Sequence, residues 1–318
     1  MNELQRPPAP ADVAHRPARL AVGVLGCGRV GAILGAALAR AGHRIVAASG
    51  VSRASRERAA ELLGVAAVSD PLTVAGAAEL LLLAVPDDAL PALVAGLAEA
   101  EAVRPGTLVA HTSGRYGVDV LSPLTRGGAL PLALHPVMTF TGTAVDLARL
   151  SGACFGITAP DPLRPVAEAL VVEMGADPQW VAEEHRVLYH AALANGANHL
   201  VTLVAQSADL LRTAGVAEPN RLLGPLLGAA LDNSLRSGDA ALTGPVSRGD
   251  AGTVAAHVEV IAEQSPQAAA AYVAMARLTA DRALAVGRLS AERAEALLDA
   301  LSAAHPFSGG EPFSGGER

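Results

Sequence analysis

Ala21-Val22-Gly23-Val24-Leu25-Gly26-Cys27-Gly28-Arg29-Val30-Gly31 is the stretch on which the fold turns. Its apolar first half reads as a buried strand. Its second half spaces three glycines as G-x-G-x-x-G, and Ala32-Ile33-Leu34-Gly35-Ala36-Ala37-Leu38-Ala39 follows as a helix. In that order Gly26 permits a sharp turn, Gly28 lets the backbone approach a pyrophosphate, and Gly31 lets helix and strand pack closely. The helix N-terminus then faces the phosphates with free N–H groups and its positive dipole end. Gly26, Cys27, Gly28, Arg29, Val30 and Gly31 are therefore the first candidates for holding a dinucleotide.

Outward from this turn, short apolar runs alternate with helical patterns as far as Val181, the pattern of a parallel sheet covered by helices. Arg44 to Ser49 is the predicted second strand, whose C-terminal end reads the adenosine ribose in this architecture. Ser49-Gly50-Val51-Ser52-Arg53 carries no carboxylate there, and Arg56 follows. Ser52 and Arg53 thus predict NADP(H), because a guanidinium grips a 2′-phosphate that a carboxylate would repel. Glu79 to Val85 is a third strand, which places Val85 and Pro86 beside the cofactor. Thr107 to Ala110 and Ala129 to Leu134 are further strands, and they deliver His111-Thr112-Ser113-Gly114 and His135-Pro136 to the same carboxyl edge. Gly152 to Thr158, a helix near Pro162 to Met174 and a short strand around Gln179 to Val181 complete this half.

From Ala182 to about Ala304 helical periodicity takes over, with turn signals at Gly215, Pro219, Gly224-Pro225, Gly238, Gly244-Pro245 and Gly287. The first helix, Ala182 to Ala214, is expected to be the axis on which the others pack. At about 100° per residue His190 and Asn198 lie about 80° apart on it, so both face one cleft floored by alanines. Thr243, Ser247 and Asp250 are competent helix caps. In the same loop, Leu242 to Asp250, Arg248 is placed to hold a carboxylate through two parallel hydrogen bonds.

The fold class is therefore α/β: a Rossmann-like, mostly parallel sheet domain at 20–181, followed by an all-α helical domain at 182–304. Residues 1–19, rich in Pro, Ala and Arg, and residues 305–318, with a repeated Pro-Phe-Ser-Gly-Gly-Glu unit, read as flexible tails.

With 24 basic and 31 acidic residues the net charge is −7, which argues against binding a nucleic-acid backbone. All the basic residues are arginines, so lysine chemistry of any kind is excluded. The two cysteines, Cys27 and Cys154, form neither a metal-ligand spacing nor a disulfide framework; no metal is expected, and the cytoplasm is the expected compartment. No run of 18 apolar residues suggests a membrane helix.

Between Leu20 and Leu301 the chain resembles a two-domain family of Rossmann-like proteins whose C-terminal helical half is a domain of unknown function. The resemblance rests on the glycine turn, Ser52-Arg53, Val85-Pro86-Asp87, His111-Thr112-Ser113-Gly114 and Leu134-His135-Pro136. It extends through Tyr189-His190-Ala191-Ala192 with Asn198, and Thr243 to Asp250. The wider superfamily includes ketopantoate reductases, pyrroline-carboxylate reductases, beta-hydroxyacid dehydrogenases and prephenate dehydrogenases. It implies a nicotinamide-dependent oxidoreductase that dimerises through its helical domain, with ketopantoate, in pantothenate synthesis, as one substrate. Ketopantoate reductases and beta-hydroxyacid dehydrogenases use a lysine with an asparagine on the same helix face. Here His190 stands in the lysine's place and Asn198 in the asparagine's. Ser247 and Glu259 have a spacing similar to the substrate-holding serine and glutamate of ketopantoate reductases, whereas Ser113 and His135-Pro136 resemble prephenate dehydrogenases.

The expected activity is NADPH-dependent reduction of a small oxo acid or imine. His190 is the acid, Asn198 orients the substrate, and Arg248 clamps its carboxylate, with Ser247, Glu259, His111 and Ser113 around it. His135 is the competing acid or base. Two other readings stand beside it: a prephenate-type dehydrogenase using His135 as base, and a non-catalytic NADP-binding sensor.

Overall fold

A computed structural model describes residues 19–65 and 70–303. The predicted flexible tails fall almost wholly outside these residues. The chain divides into two compact units, residues 1–194 and 195–318. That division lies inside the helical region, later than the 181/182 boundary expected from sequence.

The first unit opens with β1 (Ala21–Leu25), α1 (Arg29–Arg40), β2 (Arg44–Ser49), α2 (Arg53–Leu63), α3 (Pro71–Ala77), β3 (Leu80–Leu83) and α4 (Leu90–Glu99). β4 (Leu108–His111), α5 (Ser122–Thr125), β5 (Leu130–Val137), α6 (Val145–Leu150), β6 (Cys154–Thr158), α7 (Arg164–Glu173), β7 (Asp177–Trp180) and α8 (Arg186–Leu193) follow. The seven strands form one sheet in the order β2-β1-β3-β4-β5-β6-β7. All neighbours are parallel except β5 and β6.

β3 shows why the sheet must be covered on both sides. Leu80 and Leu82 join Val22, Val24, Ile33 and Leu170 in one core, while Leu81 and Leu83 join Val74, Val94, Leu97 and Val109 in a second. Alternate side chains of one strand thus feed two helix layers, which explains its unbroken apolar run.

β2 and β3 flank β1 on opposite sides, so the strand order reverses at β1, and a crevice opens past the carboxyl ends of β1 and β3. β5 matters equally. It pairs with β4 only through Ala133, opposite His111, and continues to Val137 against β6 alone. His135 therefore stands beyond the end of β4, on an overhang of the sheet.

The second unit holds α9 (His199–Thr213), α10 (Pro219–Ser237), α11 (Pro245–Arg248), α12 (Ala251–Gln264), α13 (Pro266–Ala285) and α14 (Ala291–Ala303). Its core gathers Val254, Val258, Val273, Ala276, Leu297 and Leu301 from α12, α13 and α14. α9 buries only Ala208, so it is not the packing axis expected from sequence. Nor is residues 182–214 one uninterrupted α-helix. A 3-10 turn covers Glu183–His185, and a π-helical turn covers Ala194–Asn198. Gly224-Pro225 does not end a helix either: Pro225 lies inside α10, where its missing N–H leaves one carbonyl a turn earlier without its usual partner while the helix continues.

Candidate functional site

The glycine turn is built by close approach. Gly26 has φ +96°, and a Cβ there would run into the Ala84 carbonyl at the end of β3. A Cβ on Gly31 would strike the Gly26 carbonyl and Ala84 Cβ. The Gly26 and Cys27 N–H groups both donate to Ser49 O, at 2.9 and 3.1 Å, which ties the turn to the end of β2. Gly28 differs, because a Cβ there would meet nothing within 4 Å. The N-terminus of α1 behind it has no capping side chain and no acidic residue in its first turn. Open space before uncapped N–H groups fits a dinucleotide's diphosphate, with Gly26, Gly28, Arg29, Val30 and Gly31 as the residues that would hold it. Cys27 is buried and burial pushes its thiol pKa up to about 11, so it fills the turn as an inert apolar group.

At the adenosine end Ser52 caps α2, accepting from Ser55 N at 3.1 Å. Arg53 Nε donates to Glu57 at 2.7 Å, and Arg56 donates to Val51 O at 2.8 Å. Two of the three polar groups expected to read the ribose are thus engaged in starting their own helix, and Arg53 keeps only its outer donors free. Val85 is half-buried and Pro86 exposed just past β3, on the rim of the crevice.

A second cluster, entirely within the first unit, stands at the β5 overhang. Arg186, the first residue of α8, is 1 % exposed. Its guanidinium donates to three backbone carbonyls: Tyr116 at 2.9 Å, Gly156 at 3.0 Å and Ser113 at 2.6 Å. One side chain therefore ties α8 to β6 and to the loop after β4. Burial lowers its pKa, and the nearby Tyr189 and Glu183 oppose that shift; an arginine stays a cation regardless. The Glu183 carboxylate accepts from Val118 N at 2.7 Å and Asp119 N at 3.2 Å, closing the same loop from the other side.

Tyr189, one turn along α8, meets His135 Nδ1 through its hydroxyl at 2.8 Å. A Cβ on Gly156 would collide with that hydroxyl, so β6 needs glycine at this position. Burial raises the phenol's pKa. His135 is neutral: burial first, then the positive field of Arg186, lowers its pKa to about 3. Its ring packs edge to face on His190, with centroids 5.6 Å apart. Gly114 makes room for both rings, since a Cβ there would lie 2.5 Å from His190 Cδ2 and 3.0 Å from His135 Nε2.

His111 and Ser113 belong to the frame of this cluster. His111 is fully buried; Nε2 meets Gly117 O at 2.7 Å and Nδ1 accepts from Ser113 N at 3.2 Å. Both ring nitrogens are engaged, and burial lowers its pKa to about 4, so it holds the loop rather than a ligand. Ser113 is buried as well, its Oγ accepting from Tyr116 N.

The remaining sequence candidates lie in the second unit. Asn198 ends the π-helical turn, so the uniform 100° per residue used to place it relative to His190 does not hold across that segment. Ser247 is buried with its hydroxyl donating to Gly244 O at 3.1 Å. Arg248 presents Nε and Nη2 to Asp250 at 3.2 and 3.1 Å, which occupies the edge expected to clamp a substrate carboxylate. Asp250 makes that pair instead of a side-chain cap on α12. Glu259 is exposed on α12. Among the described residues no group of three or more His, Cys, Asp or Glu side chains is arranged to hold a metal ion.

Arg186, Gly156 and Glu183 were not legible as site residues. One signal existed for Arg186, because an arginine at the first position of a helix opposes the helix dipole and so asks for partners elsewhere.

Fold and glycine turn together define a Rossmann-like protein. Residues 4–136 match the Rossmann-like domain, and residues 153–279 match a domain of unknown function, DUF2520. The chain thus carries a Rossmann-like domain followed by DUF2520, and the second match begins within the sheet, taking in β6 and β7. Among solved structures it is similar to a candidate NADP oxidoreductase of Bacteroides fragilis, at 22 % identity and TM-score 0.69 over 83 % of this chain and 98 % of that one. A protein of Thermotoga maritima matches at 20 % identity and TM-score 0.61 over 83 % and 98 %. An imine reductase of a Pseudomonas species matches at 18 % identity and TM-score 0.60 over 89 % and 100 %. No curated protein matches the chain.

Proposed function

We propose that this protein is an NADPH-dependent reductase of a small oxo acid or imine. The observation that carries the reading is the pairing of His190 and His135, edge to face at 5.6 Å, on the β5 overhang of the sheet whose carboxyl edge also carries the open Gly28 turn. The likeness to an imine reductase and to a candidate NADP oxidoreductase supports it.

The dinucleotide would be held by Gly26, Gly28 and the first N–H groups of α1, with Val85 and Pro86 beside it and Ser52 and Arg53 at its ribose. When bound, its nicotinamide supplies the hydride. The chain must then deliver a proton to the oxygen or nitrogen that takes up the electrons. His190 is half-buried and its side chain is unbonded among the described residues, which leaves a ring nitrogen free to give that proton. His135 is the poorer donor, since it stays neutral at any physiological pH and its Nδ1 is engaged by Tyr189. The same depressed pKa makes it a weak base for a prephenate-type oxidation. The roles read from sequence, Asn198 to orient the substrate and Arg248 to clamp its carboxylate, stay part of the proposal, and Arg248 would have to exchange Asp250 for that carboxylate. Ketopantoate is the first substrate to test.

The helical unit makes a homodimer. α10 exposes Leu222, Leu226, Leu231 and Leu235 and buries only Pro219 and Leu223, apolar side chains that a second copy would cover.

The test is NADPH oxidation by ketopantoate and by a panel of cyclic imines and oxo acids. Turnover with one class identifies the substrate, and tight NADPH binding without turnover on any of them would refute the reductase reading.

A further inference from the structure

Most arginines with a nearby acid use it. Arg19 pairs with Glu173, Arg53 with Glu57, Arg212 with Asp209 and Arg282 with Asp239. Arg29 and Arg58 depart from this habit. Neither makes an ion pair or a hydrogen bond among the described residues, yet both converge on one backbone position, Gly142 in the loop between β5 and α6. A Cβ there would lie 2.9 Å from Arg29 Cγ and 3.0 Å from Arg58 Nε.

The seat for the two side chains is built in advance. Gly142 is buried with φ +80°, and Asp146 beneath it is fully buried. The Asp146 carboxylate accepts from Thr141 N at 2.8 Å, Gly142 N at 2.7 Å and Thr141 Oγ1 at 2.9 Å. Those N–H groups are therefore engaged, and Arg149 lies 3.8 Å from the same carboxylate, so Asp146 is taken up by its own loop and helix. Arg29 is the first residue of α1, directly after Gly28, so its charge adds to the positive end of the helix instead of opposing it. Arg58 is half-buried on α2. Two cations brought together, neither of them paired with a carboxylate among the described residues, at a helix start that also favours an anion, are better neighbours once a further negative group lies between them. Guanidiniums suit phosphate oxygens by geometry as well as by charge.

We propose that Arg29 and Arg58, seated on the Gly142 loop, clamp a phosphate group of the bound dinucleotide. This rests on the dinucleotide reading above, in which Arg29 already belongs to the glycine turn; it adds Arg58 and the Gly142 seat, whereas sequence gave the 2′-phosphate to Arg53. The chemistry is shared by the 2′-phosphate of NADP(H) and by the diphosphate common to both nicotinamide dinucleotides.

Calorimetric titration of NADPH, NADH and 2′,5′-ADP into wild-type protein, Arg29→Gln, Arg58→Gln and Arg58→Lys tests it, with Arg53→Gln for comparison. Each glutamine variant should weaken NADPH binding by about tenfold to a hundredfold, as the loss of charge-assisted contacts to a phosphate implies, with Arg58→Lys in between. NADH and NADPH weakened alike would place the diphosphate in the clamp; NADPH and 2′,5′-ADP weakened alone would place the 2′-phosphate there. Both glutamine variants binding NADPH within twofold of wild type would overturn the clamp while leaving the dinucleotide reading intact. Wild-type protein binding no nucleotide would overturn both.

Discussion

Replacing Arg186 by methionine removes the one side chain that ties α8 to Ser113, Tyr116 and Gly156. Each hydrogen bond from a charged donor is worth roughly 1.5–3 kcal/mol. Against the three stands the relief of returning a buried cation to water, several kcal/mol on its own. Three carbonyls, two of them in buried bonds, would meanwhile lose this donor, and methionine cannot replace it. The net expectation is a loss of about 3–5 kcal/mol, a large share of the roughly 5–15 kcal/mol that holds a typical domain. Urea unfolding followed by tryptophan fluorescence reads it directly, because Trp180, the sole tryptophan, ends β7 in the same unit. At an m value of about 1–3 kcal/mol per molar, the midpoint should fall by more than about 1 M. Arg186→Lys keeps the charge but not the fork, so it should lie between the two. The variant also removes a positive field from His135, whose pKa should rise while staying below its ordinary value, because burial is the larger cause. A stability loss under about 1 kcal/mol with m unchanged would refute the claim that this guanidinium organises the cluster.

Acid should weaken the fold before most carboxylates titrate. His111 and His135 stay neutral in the folded chain down to about pH 4 and 3 and protonate near 6.5 when unfolded, so the unfolded state binds more protons in that window. Stability is full above pH 6.5 and should fall as pH drops below it, by up to about 1.4 kcal/mol per pH unit for each histidine; a urea midpoint constant from pH 7 to 5 would contradict this. Gly31→Ala puts a Cβ into Ala84 and the Gly26 carbonyl and should abolish nucleotide binding while the helical unit stays folded, as titration and circular dichroism would report. His190→Gln should cut turnover by about a hundredfold or more with NADPH affinity unchanged, and a near-wild-type rate would remove it as the acid. Leu226→Glu with Leu235→Glu should yield monomers in sedimentation if α10 is the dimer surface, and an unchanged mass would show that it is not.

Sheet and glycine turn were legible because their signals are local. Arg44–Ser49 was read to the residue, since its short apolar run and flanking glycines fix it. β5 was read short at Leu134, because Pro136 usually ends a strand. Past Ala133 the β4 side of β5 is open, so the missing N–H of Pro136 costs no ladder bond there. The histidines at the strand ends were visible, but their division of labour was not. Whether a ring turns to the Gly117 carbonyl, as His111 does, or to a phenol and a second imidazole, as His135 does, depends on α8 and the loop after β4, far along the chain. Arg248 shows the same limit at short range. A free-looking guanidinium in a glycine-rich loop was already matched by an aspartate two residues away. The same holds for Arg53 and Glu57, one helical turn apart.

β7 has a consequence for how copies of the chain can meet. It is a four-residue outer strand, Asp177-Pro178-Gln179-Trp180, at one margin of the sheet. A strand arriving from another molecule would find a proline without an N–H and a carboxylate at its first position, so the row of backbone groups that templates stacking is interrupted where it would begin. With that margin blunted, a chain that leaves many leucines on its helices can crowd in solution without an easy path into β-aggregates.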